Sequence, residues 1–333
     1  KTYLAAGTGQ LFARTGWDAN ARAVRFFCGW LTVDHQHGEG NHFGFWRKGE
    51  WLTRDRTGYA EENPLSEYHN TLAIENGKVK TTEGWVVRYA KAGSQWPMIP
   101  AGDGKIETHS RGQGYLYVRG NATALYNSKQ AGLKGVQRAV RELLWLEPDH
   151  VVVLDHAKTR KAGFKRFWMQ LPGQASIRGS RAVAHTKGGQ QLAITTLLPR
   201  SARLMVSRSG GHPAENVTMT HRLRVEGGKA RAEQLFLHVV QGADGGRTLS
   251  KTGAIHCEQA RCVGALINTT VVLFVRKGGE PLAFAAPLVK RVIAVGLRSG
   301  GKYQLKRHGE RVRISSGGTL TADAAGVLSL LSP

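Results

Sequence analysis

The feature that most constrains this chain is a rhythm of short apolar runs separated by Gly, Pro and Ser. Neighbouring side chains of a strand point to opposite faces. A run in which Tyr115 and Tyr117 alternate with Leu116 and Val118 therefore reads as a strand. Comparable runs fall at residues 10–14, 23–31, 136–145, 150–155, 164–171, 191–198, 203–207, 218–225 and 232–240, with shorter ones at 264–267, 270–275, 289–296, 302–308, 312–315 and 327–331. No segment has an apolar face of helical period over three turns. Residues 77–114 read as a long loop-rich stretch, and 127–135 as a short helical or loop piece. The 42 glycines supply the turns that so many strands need. The pattern predicts an all-β protein: a large antiparallel β-sandwich over residues 1–250, followed by a smaller C-terminal β-sheet unit over 251–333. A chain of 333 residues with 41% hydrophobic content can bury cores of that size.

Composition narrows the functional classes. The formal net charge is +23. Residues 1–100 contribute little of it, with 12 Lys and Arg against 10 Asp and Glu, so the positive field belongs to residues 101–333. Such a field attracts polyanions, either acidic polysaccharide, nucleic acid or an anionic surface. A generally basic solvated surface has the same composition. Nucleic acid is disfavoured as a partner, because there is no zinc-finger spacing, RNP-like motif or basic helix. No run approaches the roughly 20 apolar residues of a membrane span. Cys257 and Cys262, in the run CEQARC, have the spacing to close a small disulfide loop, which suits a periplasmic or secreted protein. Cys28 lies in an apolar run and reads as a buried free thiol. The chain opens on Lys1 in what already reads as a strand and carries no leader pattern. It therefore reads as part of a longer protein whose signal peptide is absent or already removed.

The chemistry-bearing residues gather between positions 35 and 70. His35 and His37 are two apart, so in a strand both look into one site. The run HFGFWRKGEWL, residues 42–52, reads as a hairpin turning at Lys48-Gly49, a pair suited to positive φ. Its return strand brings Asp55 back beside the start of the first strand. A further loop leads to Tyr68, His69 and Asn70. Imidazoles and a carboxylate from strand ends are good ligands for Zn²⁺, which often takes three protein ligands and leaves a fourth position open. Plain surface or core histidines fit the same spacing, and there is no HExxH or CxxC pair.

Five motifs in order carry a resemblance: LFARTGW (11–17), HQH (35–37), FGFWRKGEWL (43–52), Gly58-Tyr59, and YHNTL (68–72). Together they resemble the β-domain of the heparinase II/III family of polysaccharide lyases. Arg141-Glu142-Leu143, Asp155 and KRFWMQLP (165–172) are similar to that family's sandwich strands. The chain departs from the family after its second His, with Glu39 where the family has Asp and Asn41 where it has Gly. Glu keeps the charge on a longer arm, and Asn tolerates positive φ.

The resemblance implies that His37, Asp55 and His69 bind zinc and that His35 faces the substrate cleft. A lyase acting on uronic-acid polymers removes the C5 proton and expels the group at C4. It needs a base, an acid for the leaving oxygen, and neutralisation of the adjacent carboxylate. His35 is the candidate base. Arg54, Asn70, Tyr59 and Tyr68 are the candidate substrate contacts. Trp46 and Trp51 face each other across the hairpin and read as a cross-strand pair. With no dedicated base beside the ligands, the zinc reads as structural. The family's remaining catalytic residues come from a helical toroid that precedes the β-domain and is missing from this chain. The expected function is β-elimination on an acidic polysaccharide such as heparin, heparan sulfate or alginate. This chain would supply half of the active site and be inactive alone. The alternative is a non-catalytic carbohydrate-binding accessory β-domain. A hydrolytic metalloenzyme would need a general base beside an open zinc.

Overall fold

The apolar runs at residues 143–146 and 151–154 lack polar residues at alternate positions, which is how a strand reads when both its faces are buried. A computed structural model describes residues 1–29, 36–55, 64–209, 218–276 and 281–331, and bears out this all-β reading. The first five strands, β1 (Thr2–Ala5), β2 (Gln10–Arg14), β3 (Arg22–Phe27), β4 (His42–Arg47) and β5 (Glu50–Thr53), form one antiparallel sheet in chain order. The β4–β5 hairpin turns at Lys48 and Gly49, with φ of 46° and 86°, as the sequence predicts. Trp46 and Trp51 pair across it edge to face, ring centroids 5.4 Å apart.

Next come β6 (Leu72–Ile74), α1 (Gly84–Ala92), β7 (Lys105–Gly112), β8 (Tyr115–Asn121), β9 (Val136–Leu146), β10 (His150–Gly163) and β11 (Lys165–Leu171). They are followed by β12 (Ser176–Arg178), β13 (Arg181–His185), β14 (Gln191–Leu198), β15 (Arg203–Arg208), β16 (His221–Glu226) and β17 (Arg231–Ala243). An eight-stranded sheet runs β12-β13-β14-β17-β10-β9-β8-β7, and a four-stranded one runs β15-β16-β11-β6. The stretch 77–114, which reads as loop, holds both α1 and β7. Val86, Tyr89 and Ala90 are the buried side of α1, a spacing of helical period too short to stand out in the sequence. Residues 127–135 carry only the isolated bridge Ser128–Leu133.

The eight-stranded sheet is the middle layer. Leu143, Trp145, Val151 and Val153 face a core shared with Phe26, Phe43, Phe45 and Leu52 of the first sheet and Phe167 and Met169 of β11. Leu144, Leu146, Val152 and Leu154 face the other way, onto Val263, Val272, Phe274 and Ile293. Those last residues belong to a five-stranded sheet of Thr252–His256, Cys262–Ile267, Thr270–Val275, Arg291–Val295 and Leu328–Leu331. A four-stranded sheet of Leu282–Ala285, Lys302–His308, Arg311–Ser316 and Leu320–Thr321 closes the stack over a further core. Cys257 and Cys262 form a disulfide, and Cys28 is buried with its thiol pushed up to about 12 by burial.

A buried ion pair crosses the first core. Arg141 on β9 and Asp155 on β10 are opposite each other, 0% and 1% exposed, and join through two parallel hydrogen bonds of 2.8 Å. Burial outweighs the arginine and leaves the Asp155 carboxyl above its ordinary range. The remaining nitrogen of Arg141, Nη1, donates to the backbone oxygens of Asn41, at 2.6 Å, and Asn70. Removing the arginine strands a buried carboxylate. Arg141→Met should therefore cost about 3–5 kcal/mol in urea unfolding, and adding Asp155→Leu should recover most of that loss.

His238 on β17 is also fully buried, 4.0 Å from the Phe167 ring and beside Thr196. Burial first, and then the charge of Arg141, push its pKa down to about 3. Folded, the ring stays neutral where the unfolded ring would gain a proton. Its contribution is thus complete above pH 6.5 and declines as pH falls towards about 3. Between pH 7 and pH 4.5, the wild type should lose roughly 2–3 kcal/mol more stability than His238→Gln in parallel urea titrations.

Candidate metal centre

Three segments of the first sandwich converge on Asp55. The first is the loop leading into β4. Gly38 is held by its N–H on the Pro64 carbonyl, 2.7 Å, and its carbonyl accepts from Ser66 Oγ, 2.8 Å. A β-carbon there would sit 3.0 Å from both partners, so glycine lets the loop lie this close. Gln95 brackets Gly40, accepting from its N–H at 2.7 Å and donating to its carbonyl at 2.9 Å. Gln95 follows the left-handed cap Gly93 at the end of α1, so the helix absent from the sequence reading supports the site loop. Asn41 then takes φ of 66°, a positive value that Asn tolerates, and turns the chain into β4.

The second segment is the end of β5, which carries Asp55. The third is the turn before β6, Ser66–Tyr68, which delivers His69 and Asn70. His42, Asp55 and His69 present three donor atoms within 4.8 Å of one another. His42 Nε2 lies directly against Asp55 Oδ1, and His69 Nδ1 is 3.8 Å from the same oxygen. The His37 ring is 5.0 Å from that of His69. The structure therefore brings Asp55 and His69 together with His42, which the sequence reading omits, and sets the His37 ring beside His69 outside that group of three. A signal for His42 was present. Counting outward from the two-residue turn pairs Trp46 with Trp51, and an unbroken ladder would pair His42 with Asp55. The register shifts between Phe45 and Trp46, yet the two remain in contact.

His42 plays a different part from the other rings. Its Nδ1 accepts the backbone N–H of Asn70 at 3.0 Å. The ring proton then sits on Nε2 and is donated to Asp55. His42 is thereby an orienting donor to the carboxylate. Burial pushes its pKa down to about 4, and likewise that of His37, where the nearby His69 adds to the effect. Burial alone would raise Asp55, but the charges of and hydrogen bonds from His42 and His69 win and hold it well below the usual carboxylate range. Glu39 is pushed the other way, by burial and then by the negative charge of Asp55. A carboxylate beside imidazoles fits a divalent cation such as Zn²⁺.

The substrate contacts read from the sequence fare unevenly. Asn70 is corrected: it is 0% exposed, and its amide is consumed internally. Its Nδ2 donates to Phe43 O and Thr53 Oγ1, both at 2.7 Å, and its Oδ1 accepts from Gln170 N–H at 2.6 Å. Tyr68 is corrected too, being 2% exposed in a small core with Val86, Tyr89 and Trp96, under the Arg222 guanidinium. Arg54 is half-buried at the site's edge, 5.9 Å over the Trp51 ring. His35 and Tyr59 lie outside the described residues. Arg25 on β3, passed over in the sequence, reaches Asp55 Oδ2 at 3.6 Å.

No protein-family model matches the sequence, and neither does any curated protein. Solved structures do match. The heparan sulfate lyase HepC from Pedobacter heparinus is 16% identical with a TM-score of 0.61, over 83% of this chain and 42% of that one. The heparinase III-BT4657 gene product is 12% identical with a TM-score of 0.61, over 80% of this chain and 41% of that one. A further heparinase III is 11% identical with a TM-score of 0.59, over 82% and 42%. The chain thus has the fold of a part of these lyases and spans about two fifths of their length.

Removing His42 takes away both the ring lying against the Asp55 carboxylate and one of the three ligand atoms clustered there. His42→Ala should weaken Zn²⁺ binding about 10- to 100-fold in a chelator-competition titration, whereas Asp55→Ala should abolish it.

Proposed function

We propose that this chain is the β-domain of a polysaccharide lyase that cleaves uronic-acid-containing acidic polysaccharide, of the heparin, heparan sulfate or alginate type, by β-elimination. The observation that carries the reading is the cluster of His42, Asp55 and His69, with the His37 ring beside His69, in a fold shared with heparinase III-type enzymes. In this reading His37, Asp55 and His69 hold Zn²⁺, and His42 fixes the carboxylate. Bound there, the ion supplies structural cross-linking of three loops rather than bond-making chemistry.

The loop so fixed leads back to His35, which takes the C5 proton as general base. Arg54 and Tyr59 meet the substrate, Arg54 offering a guanidinium fork to the sugar carboxylate. The acid that protonates the C4 leaving oxygen comes from a helical toroid domain in the parent protein, so this chain alone is inactive. A periplasmic or secreted location suits the substrate and agrees with the Cys257–Cys262 disulfide. Among the described residues no helix is long and apolar enough to cross a membrane.

β-Elimination leaves a conjugated double bond in the product, so ultraviolet absorbance on uronate polymers tests the reading in the parent protein. Turnover should fall by at least about 10²-fold in His35→Ala, the ordinary worth of a general base. Unchanged turnover overturns the assignment of His35. A parent that binds such polymers without producing the chromophore is instead a carbohydrate-binding protein.

A further inference from the structure

Among the described residues, the outer face of the first sheet is neither covered by another layer nor used by the chemistry above. It holds a hollow of about 780 Å³. Tyr3, Phe12, Trp17 and Trp51 line it, together with Arg14 and Arg25. Tyr3, Phe12 and Trp17 are 68%, 41% and 70% exposed, a concentration of bare aromatic surface that a folded chain keeps for contact with something else.

The strand register arranges these groups in a row. Tyr3 on β1 is opposite Phe12 on β2, Phe12 is opposite Arg25 on β3, and Arg25 is opposite Gly44 on β4. Gly44 has no side chain to complete the row. A β-carbon there would fall 2.9 Å from the Trp51 ring, so the indole lies across the bare backbone. Arg14 stacks on Trp17 with its guanidinium carbon 3.6 Å from the ring centroid. The row passes beside the candidate metal centre, because Arg25 also contacts Asp55. Across three inter-strand spacings, it extends for about 14 Å.

Aromatic faces alternating with guanidinium groups suit one kind of ligand. The C–H face of a pyranose is apolar with an outward positive edge and packs on a π face. A carboxylate or sulfate on the same ring takes the planar fork of arginine. We propose that this face is a binding subsite for an anionic oligosaccharide, which lies along Tyr3, Phe12 and Trp51 with its acidic groups on Arg14 and Arg25, leading to the Asp55 centre. This inference rests on the reading of the chain as acting on acidic polysaccharide, and its binding test does not depend on cleavage.

The test titrates the full chain with heparin-derived and alginate-derived oligosaccharides, following tryptophan fluorescence and calorimetric heat. A neutral glucan oligosaccharide of equal length is the control. At least one anionic probe should bind, at least tenfold more tightly than the neutral one, with affinity falling as salt rises. Tyr3→Ala/Phe12→Ala and Trp17→Ala should each weaken it at least tenfold. Both sets of side chains are exposed, so melting temperature and bound zinc should not change. Arg14→Gln should flatten the salt dependence. Absence of binding by both anionic probes, or equal binding by the aromatic variants, overturns the proposal. So does hydroxyl-radical protection of Tyr3 and Phe12 in the glycan-free parent protein, which would make the face an internal domain contact. If the parent cleaves a uronate polymer with the same KM when Tyr3→Ala/Phe12→Ala is introduced, the subsite fails and the lyase reading stands. If the parent cleaves none while the groove still binds, the lyase reading fails.

Discussion

The buried pair of Arg141 and Asp155 is the constraint on which the site depends. An arginine placed in a hydrophobic core must satisfy every donor or unfold the region around it. Here two nitrogens go to Asp155 on the neighbouring strand, and Nη1 goes to the carbonyls of Asn41 and Asn70. Those carbonyls immediately precede His42 and follow His69. The charge pair of the central sheet thus fixes the backbone on both sides of Asp55. Lysine could not take this place, because a point charge on a flexible stem lacks the planar fork that reaches three separate acceptors.

The same economy governs Asn70. Its backbone N–H sets the tautomer of His42, its carbonyl receives Arg141, and its amide ties β4, β5 and β11 together. A polar residue next to a candidate ligand looks in sequence like a substrate contact. In the fold it is a buried junction, because the three strand ends meeting there leave more unpaired backbone groups than regular ladder bonds can satisfy. His42 follows the same logic: a histidine next to a carboxylate becomes its donor when its other nitrogen is already taken by a backbone N–H.

Much of the fold was legible because strands obey local rules. The Lys48-Gly49 turn and the Trp46–Trp51 pair both follow from residue type and spacing. The apolar runs on β9 and β10 also signalled a sheet buried on both sides, although the identity of the covering layers was not written there. The helix α1 escaped because two and a half turns give too few apolar repeats to stand against Gly84 and the β-branched Val86 and Val87. The groove on the first sheet escaped for another reason. Tyr3, Phe12, Arg25 and Trp51 are far apart in sequence, and only the strand register makes them neighbours.

What the sequence by itself determined is the strand class of the chain, its turns, and the pool of histidines and acids from which a site can be drawn. These depend on backbone preference and on periodicity, which act over a few residues. Which histidine lies against Asp55, which ring packs beside it, and which asparagine is spent inside were decided by the tertiary structure alone. Those roles are set by hydrogen bonds between segments up to a hundred residues apart. Such bonds form only once the sheets have packed and water has been excluded, so that each buried polar atom must find its partner within the protein.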